Sequence, residues 1–222
     1  MFERIAGVYD AMNSVMTAGL HHRWRERAAD LARVRAGDRA LDVATGTGDL
    51  ALALARRVGP SGQVVGADFA EAMLARARGK AGAAGVHNVS FCRADALALP
   101  FPAEHFAAAT VAFGMRNFAD VPGALSELVR VVAPGGRVVI LEITQPQRGA
   151  LAPFFSVWFD RIVPALGRFA RSPEAYDYLP RSVRAFLSPP QLAAAMDRAG
   201  LKEISYLLTA GGIIAIHAGT VP

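Results

Sequence analysis

From Arg39 onward, short apolar runs alternate with longer helical stretches, and that order leaves few folds open. Strands are expected at 39–44, 63–68, 89–93, 105–113 and 137–143. Helices are expected between them at 47–58, about 70–80 and 121–132. Gly59-Pro60-Ser61-Gly62 and Pro134-Gly135-Gly136 read as turns, and Leu99-Pro100-Phe101-Pro102 breaks the chain before the fourth strand. Strands joined by crossover helices run parallel, so the pattern predicts an α/β sheet with helices on both faces. Near the end, a helix at 189–199 precedes strands at 201–208 and 213–217. A Gly-Gly turn joins those two, which predicts an antiparallel pair and seven strands in all.

Two stretches stand outside the alternation. Residues 1–35 read as a helical cap, with Phe2, Ile5, Val8, Tyr9, Met12 and Met16 sharing one face and a basic helix at 24–34. Residues 144–187 hold five prolines and the aromatic cluster Phe154, Phe155, Trp158, Phe159 and Phe169. They are too short for a core of their own, so they read as a lid within a single domain spanning 1–222. The amphipathic part, 151–170, reads as a lid helix, with a groove wall, a homodimer surface or a membrane surface as sharper readings.

Composition narrows the function. With 53% apolar and 19% charged residues, a large core is expected. The net charge of +5 is spread along the chain without a basic run, so no nucleic-acid partner is expected. Cys92 is the sole cysteine and lies in an apolar run, which suits a structural thiol in a reducing cytoplasm. The first ten residues lack the apolar segment of a signal peptide, and no apolar run reaches the roughly 18 residues of a membrane span. Peripheral membrane contact stays open.

The chemistry centres on Asp42-Val43-Ala44-Thr45-Gly46-Thr47-Gly48-Asp49, at a strand-to-helix junction. Gly46 and Gly48 let backbone approach a ligand closely, and N–H groups at the helix start favour polar or anionic groups. Asp68 follows Gly48 by twenty residues, at the end of the second strand, where an acid can hold ribose hydroxyls. That spacing also fits a nicotinamide cofactor. Asp42 argues otherwise, because a carboxylate beside the loop would repel a pyrophosphate but suits an ammonium and a sulfonium. Asp95-Ala96, after the third strand, offers an acceptor for an adenine amine. Asp49 or Asp95 could instead cap a helix or turn.

Together these features resemble the class I S-adenosylmethionine-dependent methyltransferases, with their Rossmann-like seven-stranded sheet and antiparallel last strand. More narrowly the chain is similar to the quinone-biosynthesis C-methyltransferases that act on demethylmenaquinol or a polyprenyl methoxybenzoquinol. The resemblance runs from Phe2-Glu3-Arg4-Ile5-Ala6, Tyr9-Asp10 and Gly19-Leu20-His21 with Trp24-Arg25, through the glycine loop, to Ala94-Asp95-Ala96. It continues in Phe113-Gly114-Met115-Arg116-Asn117, Tyr176-x-Tyr178-Leu179 and Leu208-Thr209-Ala210-Gly211-Gly212, the elements specific to this branch. It implies S-adenosylmethionine as cofactor, held by Tyr9, Asp42, Gly46, Thr47, Gly48, Asp68, Met73, Asp95, Ala96 and Ala112. It also implies a lipophilic quinol substrate and catalytic roles for Arg116, Asn117 and Tyr178. Two positions depart from the family: Ala112 stands where Ser is common, and Arg181 where Glu is common.

Methyl transfer to an aromatic carbon needs an ionised quinol oxygen but no metal. Arg116 stays protonated at neutral pH, so an electrostatic role on that oxygen is expected rather than a base role, with a structural salt bridge as the plain alternative. Tyr176 and Tyr178 are expected as substrate-side donors or walls. His21, His22 and His217 lack partners at metal-ligand spacing and read as structural. Rival readings are a methyltransferase for another small aromatic, a non-catalytic binding module and an NAD-dependent oxidoreductase.

Overall fold

A computed structural model describes residues 17, 19–145 and 173–222, with the backbone alone for 173–178. Helix α1 (Leu20–Leu31) leads into β1 (Arg39–Val43), α2 (Asp49–Val58), β2 (Gln63–Asp68), α3 (Glu71–Ala83) and β3 (Val89–Arg93). Then come β4 (Phe106–Ala112), a 3-10 turn (Met115–Asn117), α4 (Val121–Val131) and β5 (Val132–Ile143). The chain closes with α5 (Pro173–Ala185), α6 (Pro189–Arg198), β6 (Lys202–Thr209), a second 3-10 turn (Ala210–Gly212) and β7 (Ile214–Thr220). The seven strands form one sheet in the order β3-β2-β1-β4-β5-β7-β6. The first five are parallel, while β7 runs antiparallel to both β5 and β6.

Alternate side chains of the central strands face opposite sides of the sheet. Leu41, Val43, Val111 and Ile140 pack with Leu125 and Leu128 of α4 and Leu192 and Met196 of α6. Ala40, Val64, Ala108, Val139 and Leu141 pack with Ala28 and Ala29 of α1 and Leu50 and Leu54 of α2. Two helices, α4 and α6, begin at side-chain caps. Asp120 Oδ1 accepts from Gly123 N at 3.0 Å at the start of α4, and Ser188 with Gln191 forms a capping box on α6.

Element boundaries differ from expectation at the loops. Helix α2 starts at Asp49 rather than at residue 47, because Gly48 takes φ +85 and cannot belong to a right-handed helix. Strand β5 starts at Val132, so Pro134-Gly135-Gly136 lies inside the strand, where pairing jumps from Phe106↔Val132 to Ala108↔Arg137. The expected turn is therefore a bulge in a long strand. The Phe2-to-Met16 stripe and the aromatic segment 151–170 lie outside the described residues.

Strand order reverses between β1 and β4, the switch point at which open α/β sheets form a ligand crevice beyond the strand C-termini. The glycine loop and the turn after β4 meet there.

Candidate active site

Asp42, in β1, is 1% exposed and sits opposite Thr110 of β4. Thr110 Oγ1 donates to Asp42 Oδ1 at 2.7 Å, and Thr45 Oγ1 donates to Oδ2 at 2.6 Å. Burial nevertheless pushes this carboxyl up to about 6, against the lowering pull of the two hydroxyls and of Arg25. The charged form is held at a cost, which a cationic ligand would relieve.

The loop that follows is bent by three left-handed residues: Ala44 (φ +54), Gly46 (φ +56) and Gly48 (φ +85). Strain at Ala44, a non-glycine, marks a constrained ligand site. Gly46 N donates to Asp68 Oδ2 at 2.8 Å, and Ala70 N donates to Asp68 Oδ1 at 2.9 Å. Asp68 therefore clamps the glycine loop from β2 as well as facing the crevice. A Cβ added to Gly46 would meet nothing within 4 Å, whereas one on Gly48 would reach Ala77 Cβ at 3.0 Å. Gly46 thus faces open space and Gly48 serves packing.

A cavity of about 460 Å³ opens beside Gly46. It gathers Asp68, Met73, Asp95, Ala96, Ala112 and Asn117 from the sequence-predicted set, with Phe69, Phe113 and Phe118 as its aromatic wall. Asp95 Oδ1 also accepts from Leu97 N at 2.9 Å, so it orders its own turn. A smaller polar cleft, lined by Arg25, Asp42, Thr45, Thr47 and Asp49, shares Ala44, Gly46 and Ala112 with the cavity. Thr47 Oγ1 accepts from Lys80 Nζ at 2.9 Å, and Lys80 also bonds Asp49 Oδ1 at 2.7 Å. Thr47 and Gly48 thus lie off the main cavity. Asp49 makes no side-chain cap and serves as an ion-pair partner.

Arg116 departs from its expected place. It lines neither cleft. Its Nη1 donates to Glu142 Oε1 at 2.5 Å and to Phe113 O at 2.6 Å, while its backbone N donates to Glu142 Oε2 at 3.3 Å. The pair is buried, with side chains 9% and 2% exposed, yet Arg116 Nε has no partner among the described residues. The plain alternative, a salt bridge, is present, and one donor edge remains unused. Tyr9 lies outside the described residues. Tyr178 lies on α5, which packs beside the Met115–Asn117 turn, but its side chain is not among those described.

The histidines need one correction. His21, His22 and Asp49 offer ligand atoms within 4.8 Å of one another, a spacing that only the fold creates. However, Arg25 bonds the His21 ring and Lys80 pairs with Asp49, so two cations already hold these atoms. His217 is buried, bonds Pro189 O at 2.9 Å through Nε2, and is held below its ordinary range by desolvation. Cys92 is half-buried and its thiol is pushed up by burial, in keeping with an inert role. Sequence reasoning missed Glu142, Arg25 and Phe69 as site residues. Glu142 could have been found as the one acid in an apolar strand.

The chain matches the ubiE/COQ5 methyltransferase family over residues 1–221. It belongs to that family. It is 52% identical to a demethylmenaquinone methyltransferase of Thermus thermophilus, over 100% of both chains. It is 41% identical to a ubiquinone/menaquinone biosynthesis C-methyltransferase UbiE of Saccharophagus degradans, over 100% of this chain and 90% of that one. A SAM dependent methyltransferase from Aquifex aeolicus shares the fold at TM-score 0.66 and 20% identity, covering 89% of each chain. This ubiE/COQ5 protein is therefore a methyltransferase with S-adenosylmethionine as its donor, which sets aside the oxidoreductase and the non-catalytic module. The larger of the two joined clefts fits that donor. The apolar cavity with Asp68, Asp95 and an aromatic wall suits adenosine; the cleft with Arg25, Asp42 and Asp49 holds only about 10 Å³, so it offers charges of both signs at the cavity's edge rather than room for the amino-acid part.

Proposed function

We propose that this ubiE/COQ5 methyltransferase moves the methyl group of S-adenosylmethionine to a ring carbon of demethylmenaquinol. The observation that carries the reading is the junction at Gly46, where a charged cleft and an apolar cavity share the small residues Ala44, Gly46 and Ala112 and a Cβ on Gly46 would meet nothing within 4 Å. The 52% identity with the Thermus demethylmenaquinone methyltransferase supports the choice of ring. A benzoquinol acceptor is the second reading, supported by the relatives named for both ubiquinone and menaquinone.

S-adenosylmethionine supplies an electrophilic methyl on a cationic leaving group. The protein must then raise electron density on the acceptor carbon and exclude water. With a donor bound, a quinol hydroxyl would pass its proton to water, and the ring carbon would form its bond to the methyl as the S–CH3 bond breaks, leaving S-adenosylhomocysteine. The ring carbon then releases its proton and regains aromaticity. Asn117, on the cavity wall, orients the quinol. Arg116 Nε is buried behind the Asn117 turn and would reach the quinolate oxygen only if that turn shifts to open it to the cavity, with Glu142 holding the other edge of the guanidinium. Tyr178 as a substrate-side donor and Tyr9 as a donor-binding residue rest on the family resemblance alone.

Incubation with methyl-labelled S-adenosylmethionine and reduced demethylmenaquinone tests the reading. Transfer of label with a carbon-bound methyl in the product NMR spectrum is expected. An O-methyl product, or transfer only to a benzoquinol, would overturn it.

A further inference from the structure

The outer strand β6 exposes Tyr206, Leu207 and Leu208 at 41%, 44% and 48%, and Leu20 at the start of α1 is 41% exposed. Tyr206 and Leu208 project from the opposite face of the sheet, so Leu207 and Leu20 are the pair left in water on the α1 side, and exposed apolar side chains grouped in this way mark a contact surface. Leu207 and Leu20 border a shallow groove that Arg23, Trp24 and Arg27 also line. Thr209 of β6 and Ile143 of β5 both pair with Ile214, so the C-terminal end of β6 lies at the edge of the sheet where β5 ends. That is the edge that carries the cavity.

Charge at this corner is one-sided. Arg23 and Arg27 are four residues apart on one exposed face of α1. Neither makes an ion pair with a described residue. The acids of the same helix, Glu26 and Asp30, are taken up by Arg56 and Arg57 of α2. The cations are therefore left uncompensated beside exposed leucines.

We propose that this corner, built from Leu20, Arg23, Arg27 and Leu207, docks the protein on an anionic lipid bilayer. Arginines meet the headgroups and leucines enter the interface, a pairing that suits a peripheral membrane contact. Docking there turns the cavity edge toward the lipid. Its purpose rests on the proposed lipophilic quinol, but the binding itself is read without any acceptor.

The test is sedimentation of the full chain with phosphatidylglycerol–phosphatidylethanolamine vesicles, against vesicles of phosphatidylcholine alone. The wild type is expected to bind the anionic vesicles only. Arg23→Gln and Arg27→Gln should each weaken binding about fivefold, as for one basic residue at a charged surface. Leu207→Gln should weaken it further, while all three variants keep wild-type affinity for S-adenosylmethionine and wild-type turnover of a short-chain, water-soluble quinol. Wild-type protein that ignores anionic vesicles overturns the proposal, as does binding that survives the combined triple substitution. A self-association in sedimentation velocity that Leu207→Gln abolishes, without vesicle binding, would assign the surface to a second copy instead. Loss of turnover on the soluble quinol by the wild type would count against the acceptor and leave the vesicle result standing.

Discussion

Arg116 and Glu142, 26 residues apart, form a buried ion pair that ties the turn after β4 to the end of β5. The parallel register Ala112↔Leu141 brings them together, since each follows its strand partner by a few residues. The pair sets the position of Asn117 on the cavity wall and leaves Arg116 Nε unused.

Removing one member of such a pair strands the other charge. Arg116→Ala should lower stability by about 3–5 kcal/mol, and Arg116→Ala with Glu142→Ala by less than the sum of the single changes. Arg116→Lys keeps the charge without the planar fork and should fold, with turnover reduced about 100- to 1,000-fold and donor affinity retained. Urea unfolding, calorimetry and turnover separate these effects. Wild-type turnover in Arg116→Lys would reduce Arg116 to a structural tie.

Asp42 should set a pH limb on donor binding. Its carboxyl in the folded protein lies at about 6, above the ordinary 3.8. The native state therefore holds more protons between these values, and stability of the unliganded protein falls as pH rises from about 4 to 6. The change is on the order of 3 kcal/mol. Asp42→Asn should flatten that profile and raise the melting temperature at pH 7.5. Donor affinity in the wild type should weaken below about pH 6, with proton release on binding near that pH. Calorimetry in buffers of different ionisation enthalpy checks it; an unchanged limb in Asp42→Asn would remove Asp42 from the amine subsite.

Gly46→Val should abolish donor binding. The position has φ +56 and open space where a Cβ would go, so the new side chain enters the ligand volume. The left-handed backbone adds a cost of about 1–2 kcal/mol to folding. A folded variant that still binds S-adenosylmethionine would move the donor out of this crevice.

Asp68→Ala should cost more than a lost ribose contact. Its two oxygens accept from Gly46 N and Ala70 N, so the glycine loop loses its clamp as well. Donor affinity should fall by at least about 1.5–3 kcal/mol, the worth of hydrogen bonds to a charged acceptor. Amide exchange at Gly46 should quicken. Unchanged exchange with weakened binding would confine Asp68 to the ribose.

Much of the sheet and of the candidate donor crevice is legible in the sequence, for local reasons. Strands β2 and β3 fall at the residues that apolar runs and flanking turn residues mark, because both signals are written within a few positions. The glycine loop, Asp42, Asp68 and Asp95-Ala96 point to a candidate donor site, and the structure brings them to two adjoining clefts, because close backbone approach and charge at strand ends have residue requirements of their own. Contacts made across the sheet were decided by tertiary structure alone. Register placed Glu142 under Arg116, folding of α1 across α2 brought Arg25 and His21 to Asp49, and burial rather than identity moved the Asp42 carboxyl to about 6. Each of these depends on desolvation and distance between residues remote in sequence, and a one-dimensional pattern carries neither quantity.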